Sequence, residues 1–425
     1  MSNFYTAKLQ DIAMVLVSNV DKKTYSGQKK VVLCNYMDVY SNDYITADLA
    51  FMESTASDKE INQFTLRKGD IVITKDSESP FDIGVPAVVV DDIPHLVCGY
   101  HLAIIRPDLT QVDPYYLAKQ LSEDACVKYF GKVAAGSTRF GLSNGAIKET
   151  PIMLTGLPTQ RKIGHISQNV DAQIVETEAL ISKYQRVKQG IMKDLFSRGI
   201  DPATGQLRPS VHDAPELYHE TPIGLLPRDW CISKLSCIAD VIDPQPDHRT
   251  PPQDEHGIPY VGISDFQDDE EVDSYNCRLV SLSVLEKQRQ RFLVESGDIV
   301  FGKIGTIGQP KMIRSTGDFA LSANILLIKP ATGFSRFLYE FMKSDLIDIQ
   351  LSKIVNITSQ PAIGINTMRE LTIPIPTENE LQYINRSMDS IESHLWSELK
   401  MLSKLKFQKV GLMQDLLTGK VPVSA

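Results

Sequence analysis

Along residues 158–198, apolar side chains recur at Ile163, Ile166, Val170, Ile174, Ile181 and Tyr184, then at Val187, Ile191 and Leu195. Spacing of three and four predicts an amphipathic helix. Pro158-Thr159 stands where such a helix starts, and Gly199 where it stops. About 37 residues at 1.5 Å each make roughly 55 Å, which points to a coiled-coil arm. A second stretch, 376–418, carries Leu381, Ile384, Met388, Ile391 and Leu395. Its register slips to Leu399, Leu402 and Leu405, and it ends in Leu412, Met413, Leu416 and Leu417. The two stretches align: Pro158-Thr159 with Pro376-Thr377, Val170-Asp171 with Met388-Asp389, and GIMKDLF (190–196) with GLMQDLL (411–417). In that alignment Asp171 to Gly190 spans 190 − 171 = 19 residues and Asp389 to Gly411 spans 411 − 389 = 22, so the second helix gains nearly a turn.

What precedes each stretch also repeats. KLQDIA (8–13) resembles KLSCIA (234–239), and Met37-Asp38-Val39 resembles Ser264-Asp265-Phe266. KGDIVITK (68–75) resembles SGDIVFGK (296–303), YHLAIIRP (100–107) resembles ANILLIKP (323–330), and Pro151-Ile152 resembles Pro374-Ile375. These five matches and the long helices that follow them, six in one order, predict a tandem duplication. GDIVIT (69–74), GDIVFG (297–302), VPAVVV (85–90), HLAIIRP (101–107) and NILLIKP (324–330) read as strands. DPYYLAKQLSE (113–123) and SRFLYEFMKSDLIDIQLSK (335–353) read as helices. The fold class is α+β: globular parts 1–157 and 230–375, long helices 158–198 and 376–418, a Pro/Gly/His-rich linker 199–229 and a tail 419–425.

Composition adds little. The chain has 425 residues, 42% hydrophobic and 23% charged, as a globular protein of two or three domains would. No apolar run approaches a membrane span. Six cysteines form no CxxC pair, and the first residues lack a charged-then-apolar leader layout, so a cytoplasmic location is expected. No histidine has zinc spacing, His212/His219 and His248/His256 lying in proline-rich loops, and no metal is expected. The net charge of −9 speaks against nucleic acid, but the charge is uneven. SDFQDDEEVD (264–273) holds six acids, whereas the first long helix has seven bases against four acids.

Three motifs invite chemistry. DPYY (113–116) resembles the Asp-Pro-Pro-Tyr of amino-group DNA methyltransferases. Here Tyr115 replaces the second proline, no glycine-rich cofactor loop precedes it, and Asp113 as N-cap with Pro114 at N1 is the simpler account. FGKIGTIG (301–308) lacks the Lys-Ser/Thr and following helix of a phosphate loop. It reads as a β-turn with a forward lysine able to touch a DNA phosphate. AAGSTRFGLS (134–143) and NITSQPAIGIN (356–366) occupy equivalent places. Each offers hydroxyls and one planar side chain: Ser137, Thr138 and Arg139, then Thr358, Ser359 and Gln360. Arg can grip guanine and Gln adenine, although each loop alone could be an ordinary capping turn. There is no Ser/His/Asp set, no HExxH and no framed carboxylate pair, so no catalytic residue is expected.

The paired GDI strands, the Pro-Thr leads, GIMKDLF and GLMQDLLTGK, and the linker GID…W (199–230) together resemble the specificity subunit of type I restriction–modification enzymes, over nearly the whole length. The family's usual Glu-Gln pair after the helix-leading proline is Thr159-Gln160 and Thr377-Glu378 here. The resemblance implies two target-recognition domains with pseudo-twofold symmetry, each reading one half of a split double-stranded DNA site. It implies antiparallel helices that space the domains and dock two methyltransferase subunits and, through them, restriction/translocase subunits. It also implies no catalysis and no cofactor on this chain, the partners using S-adenosylmethionine, ATP and Mg. Position in the repeat makes Lys75, Ser137, Thr138, Arg139, Lys303, Thr358, Ser359 and Gln360 the candidate DNA contacts.

For the seam, Leu381, Ile384, Met388 and Ile391 are expected on Ile163, Ile166, Val170 and Ile174. Start is to face end, bringing Ile163 near Leu412–Leu416 and Leu381 near Ile191–Leu195. The rival readings are a stand-alone methyltransferase using DPYY and a coiled-coil scaffold without a DNA role.

Overall fold

A computed structural model describes residues 4–247, 249–267, 271–274, 276–305, 307–354 and 362–423. The chain forms two compact units, Met1–Glu178 with Met401–Ala425, and Ala179–Lys400. The long helices run Leu157–Ser197 and Glu378–Leu417, so each gives one end to each unit. Among the described residues no helix is long and apolar enough to cross a membrane.

In the first unit a five-stranded sheet has the order Ala13–Val17, Leu102–Pro107, Ile71–Thr74, Pro86–Val89, Tyr44–Ile45. Ile71, Ile73 and Ile105 enter one core with Leu9, Tyr116 and Phe130. Val72, Leu102 and Ile104 enter another with Leu33 and Val97. Both faces are covered, so these strands are runs of apolar residues without alternation. The Gly-Asp entry is a turn. Gly69 has φ +91°, which glycine adopts without strain. Buried Asp70 accepts from Arg67 N at 2.9 Å and pairs with Arg106 at 2.7 Å.

The second unit repeats the frame's key bonds on a four-stranded sheet, Ala239–Ile242, Ile325–Pro330, Ile299–Gly302, Gly308–Met312. Gly297 has φ +92°, and Asp298 accepts from Glu295 N and pairs with Lys329, each at 2.8 Å. Leu9 N donates to Thr150 O at 2.9 Å, and Leu235 N to Leu371 O at 2.8 Å. Lys75 N donates to His101 O at 2.9 Å, and Lys303 N to Asn324 O at 2.8 Å. Leu142 N and Ile363 N donate to the carbonyls of Lys75 and Lys303 at 2.9 Å. The duplication is therefore a property of the fold. The stretch 335–353 is helical as expected, in two helices, Ser335–Phe341 and Asp345–Ile354. The Ser344 hydroxyl donates to Phe341 O at 2.6 Å at the break, offering the chain a local alternative to continuing the helix.

The linker is structured. Hairpins Ile200–Asp201/Gln206–Leu207 and Tyr218–Thr221/Gly224–Pro227 fold against the second long helix. The first hairpin and Trp230 are pinned by Glu380, which is wholly buried. Its carboxylate accepts from Ile200 N at 2.7 Å, from Trp230 Nε1 at 2.8 Å, and from Arg208 Nη1 and Nη2 at 2.5 and 3.0 Å.

Within each unit two helix ends run antiparallel. In the first, Ile163 shares a core with Met413, Leu416 and Leu417, with Ile166 and Leu412 packed against it. Farther along, Asp171 meets Lys409 at 2.7 Å and Glu178 meets Lys406 at 2.8 Å. In the second, Leu195 shares a core with Leu381, Ile384 and Met388, beside Ile191. There Lys188 lies 3.6 Å from Glu392, and Tyr184 stacks on His394 at 6.1 Å. Start faces end, as expected. The other half of the expectation fails: Leu381, Ile384 and Met388 lie in the second unit's core and Ile163 in the first's. An antiparallel pair cannot also join start to start. Val170, Ile174 and Ile391 are half-buried.

The helix alignment is corrected too. Asp171 is buried, whereas Asp389 is 65% exposed at its side chain. The residue that does what Asp171 does is Glu392, which meets Lys188 as Asp171 meets Lys409. The offset is constant, 392 − 171 = 409 − 188 = 221, so the second helix carries no extra turn between these points.

Candidate nucleic-acid interface

At the end of the Ile71–Thr74 strand the chain turns outward through Lys75. Asp76–Ser77 then pairs with Phe140–Gly141, which fixes the base of the 134–141 loop. Ala135 and Gly141 exchange backbone hydrogen bonds at 3.0 and 2.9 Å. Gly136 has φ +143°, and a Cβ there would strike Arg139 O, so the tip is a tight turn that glycine permits. Ser137, Thr138 and Arg139 are all exposed on it. The second unit keeps the same frame: Ile304 bridges Ala362 where Asp76 pairs with Gly141. Thr358, Ser359 and Gln360 lie outside the described residues.

The two lysines share a backbone frame but differ in surroundings. Lys75 Nζ sits 2.8 Å from Asp76 and 5.1 Å from the centre of the exposed Tyr100 ring. His101 Nδ1 reaches the same Asp76 oxygen at 2.9 Å. Burial pushes the Asp76 pKa up, but hydrogen bonds from Lys75 and His101 outweigh it and hold the carboxyl below its ordinary value. Lys303 is a buried ion-pair partner: its Nζ lies 2.6 Å from Asp243 and its side chain is 4% exposed. It is placed to brace the turn, and a phosphate would have to displace Asp243.

Sequence reading missed an aromatic patch beside the first loop. Tyr36 and Tyr40 stack at 5.5 Å, and Tyr40 OH donates to Asp82 at 2.9 Å. Next to Asp82, the Phe81 ring is 82% exposed. Its turn is braced by Phe81 N donating to the Ser79 hydroxyl at 3.2 Å and by the close approach of Gly131 to Pro80 O. The available signals were the Tyr pair four residues apart and a lone phenylalanine in a Ser/Pro turn. Tyr100, beside Lys75 Nζ, and Phe81 thus leave exposed aromatic faces in the same unit as the 134–141 loop.

A family model described as the type I restriction modification DNA specificity domain matches residues 1–186 and 227–403. The chain belongs to that family. Two Methanocaldococcus jannaschii proteins are similar to it. One, provisionally described as the specificity subunit of type I restriction enzyme MjaX, is 20% identical over 423 residues, 98% of this chain and 93% of that protein. The MjaVIII specificity subunit is 26% identical over 282 residues, 64% of this chain and 62% of that protein. Among solved structures, the type I S subunit from M. genitalium matches with TM-score 0.60 and 14% identity, covering 100% of this chain and 97% of that one. A chain from a structure of complex assembly and conformational transition in a type I R-M system matches with TM-score 0.51 and 16% identity, covering 97% of each. At these identities the structures establish a common fold.

Against this specificity-family background the catalytic look-alikes have structural roles. The Asp113 side chain caps the Pro114–Ser122 helix, accepting from Tyr115 N at 3.1 Å and Tyr116 N at 3.0 Å. Tyr116 is buried and donates to Met153 O at 2.9 Å. A DNA methyltransferase would need those groups for the target amine and base. FGKIGTIG leads from the Ile299–Gly302 strand into Gly308–Met312, its antiparallel partner. A hairpin stands where a phosphate loop would need a helix.

Proposed function

We propose that this chain is the sequence-recognition subunit of a type I restriction–modification complex, and that each unit's globular part reads one half of a split double-stranded DNA site. The observation that carries the reading is the recurrence of one set of frame hydrogen bonds in two globular parts, each packed on a pair of long-helix ends. A homodimer with two equal readers demands a palindrome. Two diverged readers in one chain free the half-sites to differ. In the first unit, Ser137, Thr138 and Arg139 reach bases, and Lys75, Tyr100 and Phe81 add contacts to the DNA. In the second, Thr358, Ser359 and Gln360 are the candidates at the matching place in the sequence repeat.

The chain itself is non-catalytic. Two methyltransferase subunits dock on the helix ends and use S-adenosylmethionine, and restriction/translocase subunits joined through them use ATP and Mg, all in the cytoplasm. The test is to assemble the chain with its methyltransferase partner and map methylated positions on random-sequence duplex DNA. A two-part consensus with a fixed gap is expected. A continuous consensus, or S-adenosylmethionine binding and methylation by this chain alone, would overturn the reading.

A further inference from the structure

Where each globular part meets its helix ends lies a knot of charge, with Asp171 and Glu340 buried at its centre. In the first unit Asp171 accepts from Tyr44 OH at 2.6 Å and pairs with Lys119 at 2.8 Å and Lys409 at 2.7 Å. Both lysines also reach Asp43, at 3.0 and 3.2 Å. Asp171 lies on the first long helix and Lys409 on the second, while Lys119, Asp43 and Tyr44 belong to the globular part. In the second unit Glu392 meets Lys188 at 3.6 Å, Arg314 at 3.2 Å, and Arg336. Glu340 pairs with Lys188 and Arg336, each at 2.9 Å.

The repeat relates these residues one to one, since 392 − 171 = 409 − 188 = 340 − 119 = 221. The helix-borne charges keep their sign: an acid at 171 and 392, a lysine at 409 and 188. The globular residue does not, being Lys119 in the first unit and Glu340 in the second. An acid at 119 would face Asp171 and Asp43, the carboxylates that Lys119 now reaches at 2.8 and 3.0 Å. A lysine at 340 would face Lys188 and Arg336. Like charges at such separations with little water are strongly repulsive.

We infer that Lys119 and Glu340 are positioning residues. Each seats its globular part at one angle on the helix ends, and their opposite signs make each seat reject the residue that suits the other. A specificity subunit must hold two readers at a fixed separation and rotation. A reader tethered only by covalent linkage and apolar packing could tilt, and the gap between half-sites would then be loosely defined. A buried, multiply paired charge has one good geometry and costs heavily elsewhere. This inference rests on the two-half-site reading above.

The experiment measures methylation by the assembled complex on duplexes that keep both half-sites and vary the gap by single base pairs. Wild type should show one preferred gap. Its absence would overturn the two-half-site reading itself. For Lys119→Glu, the preference for the best gap over its neighbours should fall about tenfold, because repulsion from Asp171 and Asp43 adds to the lost charge contact, while the bases preferred in each half-site stay the same. Lys119→Met, which keeps the stem and removes the charge, should fall less, and Lys119→Arg should behave as wild type. Glu340→Lys should mirror Lys119→Glu. If Lys119→Glu does not fold, Lys119→Met decides, since it introduces no repulsion. Unchanged gap preference in Lys119→Met, or an equal fall in Lys119→Met and Lys119→Glu, would overturn the inference.

Discussion

At the scale of single residues, Glu380 is the clearest case of a side chain whose role only tertiary structure defines. It holds Arg208, Trp230 and Ile200 N at once, and both ions are desolvated, with side chains 0% and 6% exposed. Removing Glu380 leaves the buried Arg208 with only the more distant and exposed Asp229, at 3.4 Å, as a counter-charge. Glu380→Ala should therefore destabilise the protein by about 3–5 kcal/mol, checked by denaturant unfolding. Glu392 offers a test by acidity. Burial raises its pKa, but the hydrogen bond from Arg336 and then the charges of Arg336, Lys188 and Arg314 outweigh this and leave it lowered. A lowered carboxyl stabilises the fold above its unfolded value and loses that contribution as pH falls through the folded one. Glu392→Gln should thus be less stable at neutral pH and should lose less on going from about pH 5 to pH 3, as thermal unfolding would show. In the sequence, Gly69-Asp70 and Gly297-Asp298 announced their turns because turn chemistry is local. Glu380 and Arg208 did not, because an acid near a helix start looks like an exposed charge until the linker folds over it.

At the scale of elements, the long helices were legible because apolar spacing of three and four is sustained far beyond ordinary length. The strands were legible because they are short, wholly apolar and entered by turns. Their pairing was less so: the second sheet of each unit, Lys29–Cys34 with Met52–Ala56 and Leu96–Cys98 in the first, left no repeat signal. The alignment of Asp171 with Asp389 followed sequence likeness, and the structure prefers Glu392 because an ion pair recognises charge and place, not the neighbouring letters. If the helices set the distance between readers, four residues inserted near Ala179 lengthen one by roughly 6 Å, against about 3.4 Å per base pair. Part of that length is lost where the partner helix has no insertion. The expected outcome is a gap longer by one or two base pairs with both half-sites unchanged, read by methylation mapping. An unchanged gap at full activity would mean that the helices do not act as the ruler.

At the scale of the whole molecule, the duplication is the organising fact, and it was visible from ordered matches none of which meant much alone. Which residues touch bases was far less visible. The 134–143 loop was found by its place in the repeat, while Phe81, Tyr100 and the Tyr36–Tyr40 stack were overlooked, because exposure cannot be read from residue type. Arg139→Ala should relax selection at one or two positions of one half-site by about 1–3 kcal/mol if its contact is bidentate, seen as a broadened methylation consensus. The central claim is that two readers act independently in one chain. Its most direct test is to exchange residues 1–150 for those of a relative of different specificity and to map methylation by the assembled complex. One half of the consensus should change to the relative's while the other half stays as it was; change in both halves together, or in neither, would contradict the account.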